Sequence, residues 1–71
     1  QMDLAEIALQ YAKVLLKDGG FAVVKALQGE YFERLLSEYR KHFKHVKVFK
    51  PPASRKTSSE VYIIGLGFRR V

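Results

Sequence analysis

The chain has 71 residues, 13 lysines and arginines against 7 acids, a formal net charge of +6, and no cysteine. That length holds one domain at most, burying only about 60% of the surface its unfolded form exposes, and without cysteine no disulfide or thiolate zinc site can supply extra stability. No apolar run approaches the roughly 18 residues of a membrane span and no basic-then-apolar signal segment opens the chain, so a soluble cytoplasmic protein is the expectation.

The charge is divided unevenly. Residues 1–33 carry Lys13, Lys17 and Lys25 against Asp3, Glu6, Asp18, Glu30 and Glu33, a net −2. Residues 34–71 carry ten lysines and arginines against Glu38 and Glu60, a net +8. A basic half of this kind suits a polyanion, most often nucleic acid. It equally describes a solvated basic face without a specific partner.

Residues 2–16 read as a helix. Asp3, Glu6, Gln10, Lys13 and Lys17 recur at spacings of three and four and form one narrow polar stripe, with apolar residues between them. Such a helix needs cover over most of its circumference. Asp18-Gly19-Gly20 ends it, with glycine as the left-handed stop. Residues 21–27, Phe-Ala-Val-Val-Lys-Ala-Leu, form a near-continuous apolar run, which is the pattern of an interior parallel strand. In such a strand Lys25 needs a partner or a task to offset its burial. Gln28-Gly29 turns the chain into a second helix, about 30–43, with Tyr31, Phe32, Leu35, Leu36, Tyr39 and Phe43 on one face.

Val46–Lys50 reads as a short strand, stopped by Pro51-Pro52. Residues 51–60 are a polar loop, and 61–68 form a third strand apolar enough to be interior. The expected fold class is therefore α/β: helix, strand, helix, strand, antiparallel strand. The strand–helix–strand portion implies two parallel strands and a right-handed crossover. The third strand has no helix before it and returns antiparallel to its predecessor. It then begins, at Glu60, on the edge where the first two strands end. Ligands of open α/β sheets bind outside those carboxyl ends, so Lys25, the loop 51–59 and Glu60 are expected to converge on one edge.

A Lys25–Glu60 pair is the best constellation available, either as an ion pair tying two strands or as a lysine oriented by a carboxylate at a catalytic edge. In general a nearby carboxylate favours the ammonium form of a lysine, whereas a lysine base needs burial or a second cation. Ser54-Arg55-Lys56-Thr57-Ser58-Ser59 mixes hydroxyls and cations and suits phosphate contacts or, equally, a polar loop. His42 and His45 read as solvated, without a third ligand at metal-binding spacing. Tyr62 reads as core, and Gly65-Leu66-Gly67 lacks the third glycine of a dinucleotide fingerprint.

Several separated motifs resemble the carboxyl-terminal part of the FtsJ family, the S-adenosylmethionine-dependent RNA ribose 2′-O-methyltransferases. They are Gly19-Gly20-Phe21-Ala22-Val23-Val24-Lys25, Gln28-Gly29-Glu30, Lys50-Pro51, Ser54-Arg55 and Ser59-Glu60-Val61-Tyr62. The resemblance covers essentially the whole chain. It implies a Rossmann-like methyltransferase sheet and a Lys-Asp-Lys-Glu tetrad, in which Lys25 matches the second lysine and Glu60 the glutamate. Ser54 and Arg55 match the substrate-side loop, where Arg55 and Lys56 would hold RNA phosphate. The implied RNA is ribosomal.

The family's first lysine, its aspartate and its glycine-rich cofactor segment have no match here. The resemblance thus implies a partial domain over residues 1–71, the carboxyl-terminal portion of an FtsJ-like methyltransferase domain. Its cofactor, S-adenosylmethionine, would bind to the missing amino-terminal part, with no cofactor-binding residue in this chain, and the fragment alone would be inactive. Two other readings remain: a non-enzymatic basic RNA-binding module, with Lys25–Glu60 purely structural, and an interaction fragment completed by another chain.

Overall fold

The computed structural model describes residues 4–51 and 60–70. The elements run α1 (Leu4–Leu15), β1 (Phe21–Leu27), α2 (Phe32–His42), β2 (Phe43–Phe49) and β3 (Glu60–Phe68). They form one three-stranded sheet in the order β1-β3-β2, with both outer strands antiparallel to β3. β1 and β2 therefore run parallel to each other, as the strand–helix–strand pattern requires. They are not neighbours, because β3 is inserted between them.

That insertion corrects one expectation. β1 is an edge strand among the described residues, not an interior parallel one, and β3 is the central strand. Both helices pack on the same sheet face. Ala5 and Leu9 of α1, Phe32, Leu35, Leu36 and Tyr39 of α2, and Ala26, Val61, Ile63 and Phe68 of the strands share a single core with Phe43. The register places Phe21, Val23, Lys25 and Leu27 of β1 on the opposite face, with Tyr62, Ile64 and Leu66 of β3. Phe21, Val23 and Leu27 are more than half exposed. The apolar run implies cover on both faces; here one face is open.

The second helix forms where expected because Phe32, Leu35, Leu36 and Tyr39 fall at i, i+3, i+4 and i+7, a single stripe that is wholly buried. Glu33 in its first turn and Arg40, Lys41 and His42 in its last complement the helix dipole. Tyr31 is exposed, so it does not join that stripe. Phe43 does reach the core, but as the first residue of β2, which starts three residues earlier than the Val46 expected from the pattern. Phe43 and Val46 both pack against the core although strict alternation would put them on opposite faces. The irregularity lies opposite Gly67, whose φ of +71° is a left-handed backbone position that favours glycine.

Two long-range ties close the structure. The buried Tyr39 hydroxyl donates to the Ala5 carbonyl at 2.7 Å, joining α2 to α1. At the other end of α1 the Arg70 guanidinium donates to the Lys13 and Leu16 carbonyls at 2.8 and 3.2 Å. The carbonyls of a last helical turn have no intrahelical donor, and Arg70 supplies one. Gly19, at φ +85°, donates its N–H to the Phe68 carbonyl at 2.7 Å. The α1–β1 turn is thereby pinned to the end of β3.

Candidate active-site edge

Lys25 is the fifth residue of β1 and Glu60 the first of β3. In the β1–β3 ladder Lys25 lies opposite Tyr62 and Leu27 opposite Glu60, so Lys25 and Glu60 are diagonal neighbours on one face. Lys25 Nζ stands 3.3 Å from Glu60 Oε1, and the two side chains are 56% and 43% exposed. The edge predicted from connectivity therefore does bring the two residues together. The supposed cost of burying Lys25 is absent, since the face it occupies is the open one.

Sequence reasoning missed the third member of this edge. Tyr62, read as core, is only half-buried and sits directly across from Lys25. Phe49 of β2 lies on its other side. The row Lys25–Tyr62–Phe49 thus crosses the whole sheet, with Glu60 at its corner. The signal was available: Glu60 and Tyr62 are two apart in a strand and must share a face. Pro51 follows the end of β2, and Glu60 begins β3 at the same edge. Ser54, Arg55 and Lys56 lie outside the described residues.

Of the two histidines read as solvated, His45 is exposed and His42 half-buried. Burial, followed by the nearby charge of Lys13, holds His42 below its ordinary 6.5. Among the described residues no cluster of His, Asp and Glu is arranged to hold a metal. A groove of about 570 Å³ runs between the helices, lined by Glu6, Leu9, Gln10, Tyr31, Arg34, Leu35 and Glu38. A smaller one of about 290 Å³ lies under Leu27–Phe32. Neither is lined by Lys25 or Glu60.

Comparison with known proteins gives this edge a context. Residues 1–68 match the model of the FtsJ-like methyltransferases. The chain belongs to that family. Among similar proteins, the ribosomal RNA large subunit methyltransferase E of Ehrlichia ruminantium (strain Welgevonden) is 44% identical over 68 residues, 96% of this chain and 53% of the relative. The protein of the same name from Archaeoglobus fulgidus is 46% identical over 70 residues, 99% of this chain and 37% of the relative. That from Wolbachia sp. subsp. Brugia malayi is 51% identical over 67 residues, 94% of this chain and 31% of the relative. The chain thus spans about a third to a half of the length of these FtsJ-like relatives. No helix among the described residues is long and apolar enough to cross a membrane.

Proposed function

We propose that this chain is the carboxyl-terminal portion of a methyltransferase domain that methylates a ribose 2′-OH of ribosomal RNA, with S-adenosylmethionine as methyl donor. The observation that carries the reading is the Lys25–Glu60 contact at 3.3 Å on the edge of the sheet where β1 and β2 end, in a chain of the FtsJ-like family. The names of the relatives support the choice of ribosomal RNA as substrate.

In this reading Lys25 faces the ribose and takes the 2′-OH as its hydrogen-bond partner, drawing the proton away as the oxygen becomes nucleophilic. Glu60 holds the Lys25 side chain in position. Tyr62, directly opposite Lys25 in the ladder, flanks the lysine on the same face. A carboxylate alone favours an ammonium, so a second cation from the remainder of the domain would complete the site. Arg55 and Lys56, in the segment of sequence between β2 and β3, would take nearby phosphates.

Among the described residues neither groove is built as a pocket for S-adenosylmethionine beside Lys25 and Glu60. Neither groove is lined by Lys25 or Glu60, although Leu27 at the smaller one pairs with Glu60, and the sequence has no glycine-rich cradle. The donor would supply an electrophilic methyl group from the rest of the domain. The 71-residue chain alone is accordingly expected to show neither activity nor calorimetric S-adenosylmethionine binding.

The test is methyl transfer by the complete protein carrying this chain, using labelled S-adenosylmethionine and unmodified large-subunit ribosomal RNA, followed by nucleoside analysis. Label in a 2′-O-methylated nucleoside supports the reading. Label in a base, or none, contradicts it.

A further inference from the structure

β2 is an edge strand among the described residues, paired only with β3. Between Phe43 and Lys50 the strand and the residue after it carry Lys44, His45, Lys47 and Lys50 and no acid, and all four are exposed. The described carboxylates near this side of the molecule are engaged elsewhere: Glu38 with Lys41 at 3.0 Å and Glu60 with Lys25. No ion pair among the described residues neutralises Lys44, Lys47 or Lys50. Lys44 is also partly pre-ordered. Its Cβ, Cγ and Cδ lie so close over Gly67 that a Cβ there would stand 3.1–3.3 Å from them, so the stem rests on the sheet while the ammonium reaches solvent.

The strand also has a direction. Phe49 is in the row of Tyr62 and Lys25, whereas His45 pairs with Leu66, four rows further on. Lys50 is therefore beside the Lys25–Glu60 edge and Lys44 at the far end. Six residues of extended chain cover about 20 Å, over which one strand of a nucleic-acid duplex presents about six phosphates.

From this placement we infer that the β2 edge is an RNA-backbone track leading away from the Lys25–Glu60 pair, with Lys50, Lys47 and Lys44 each taking a phosphate about 10 Å from the next. The inference rests on the RNA reading above but not on the methyl-transfer chemistry. Lysines on an edge strand also discourage strand-to-strand aggregation. That role requires charge but no ligand, and it predicts no change in RNA affinity when the charge is removed.

The test uses the complete protein and a large-subunit ribosomal RNA transcript, with affinity measured across a salt series. The Lys44→Gln/Lys47→Gln/Lys50→Gln variant should lower the slope of log affinity against log salt by about 2–3, since each lost phosphate contact contributes about 0.7–0.9. Its KM for RNA should rise at least about tenfold while kcat at saturating RNA is kept, as expected for lost uniform binding. The Lys→Arg triple variant should keep the parent affinity. If the glutamine triple variant does not fold, Lys47→Gln and Lys50→Gln singly should each lower the slope by about one. An unchanged slope and affinity in folded variants overturns the track. If the parent binds RNA with the expected slope but transfers no methyl group, the catalytic reading fails and the track stands.

Discussion

Lys25 and Glu60 meet diagonally across the β1–β3 ladder, 3.3 Å apart, on the sheet face that carries no helix, and about half of each side chain is exposed. An exposed ion pair of this kind contributes no more than about 1 kcal/mol to stability. Glu60→Gln should therefore leave the unfolding free energy from urea denaturation within about 1 kcal/mol of the parent. A larger loss would mean that the pair is there to hold two strands together.

Gly65 has little room for a side chain. A Cβ at this position would lie 2.7–2.8 Å from the ring of Phe43, and that ring is held by stacking with Tyr39 and an edge contact with Phe68. Gly65→Ala should cost about 1–3 kcal/mol in chemical denaturation through overpacking. Combined with Phe43→Leu it should cost less than the two single changes added together, because they share one contact.

The Tyr39 hydroxyl ties α2 to α1 through a buried 2.7 Å hydrogen bond to Ala5. Tyr39→Phe keeps the ring and removes that bond. Denaturation should show a loss of about 0.5–1.5 kcal/mol, with the far-ultraviolet spectrum unchanged.

His42 gives the fold a sensitivity to mild acid. Burial and then the charge of Lys13 hold it below its ordinary 6.5, with Lys41 adding to the shift and Glu38 opposing it. As pH falls, the unfolded chain takes up this proton first, so the stabilisation is present above the ordinary value of 6.5 and is lost as pH falls through the folded value. Glu38, held below its ordinary 4.5 by the Lys41 hydrogen bond and charge, acts with the same sign at lower pH. Urea midpoints should fall between about pH 7 and pH 5, and His42→Gln should flatten that upper window. A midpoint that rises on acidification would contradict this assignment.

Much of this was legible in the residues. The Gly19 stop, the 21–27 strand, the Phe32–Tyr39 stripe and an antiparallel third strand follow from periodicity and turn chemistry, and connectivity alone placed Glu60 beside Lys25. What remained hidden was which strand is central. An apolar run such as Phe21–Leu27 looks the same whether it is buried on two faces or waits for cover from outside the chain, so the pattern alone makes β1 look interior. The early start of β2 was hidden because Phe43 continues the helical stripe of α2 while serving as a strand residue. The half-buried place of Tyr62 follows only from its period-two link to Glu60 on the open face.

The central claim is that Lys25 acts on the 2′-OH and is more than a structural cation. The most direct measurement is single-turnover methyl transfer to large-subunit ribosomal RNA by the complete protein with Lys25→Ala, alongside its RNA affinity. The account predicts a rate lowered by about 10²-fold or more, the range for loss of a positioned proton-transfer group, with RNA affinity and its salt dependence retained. An unchanged single-turnover rate would contradict it.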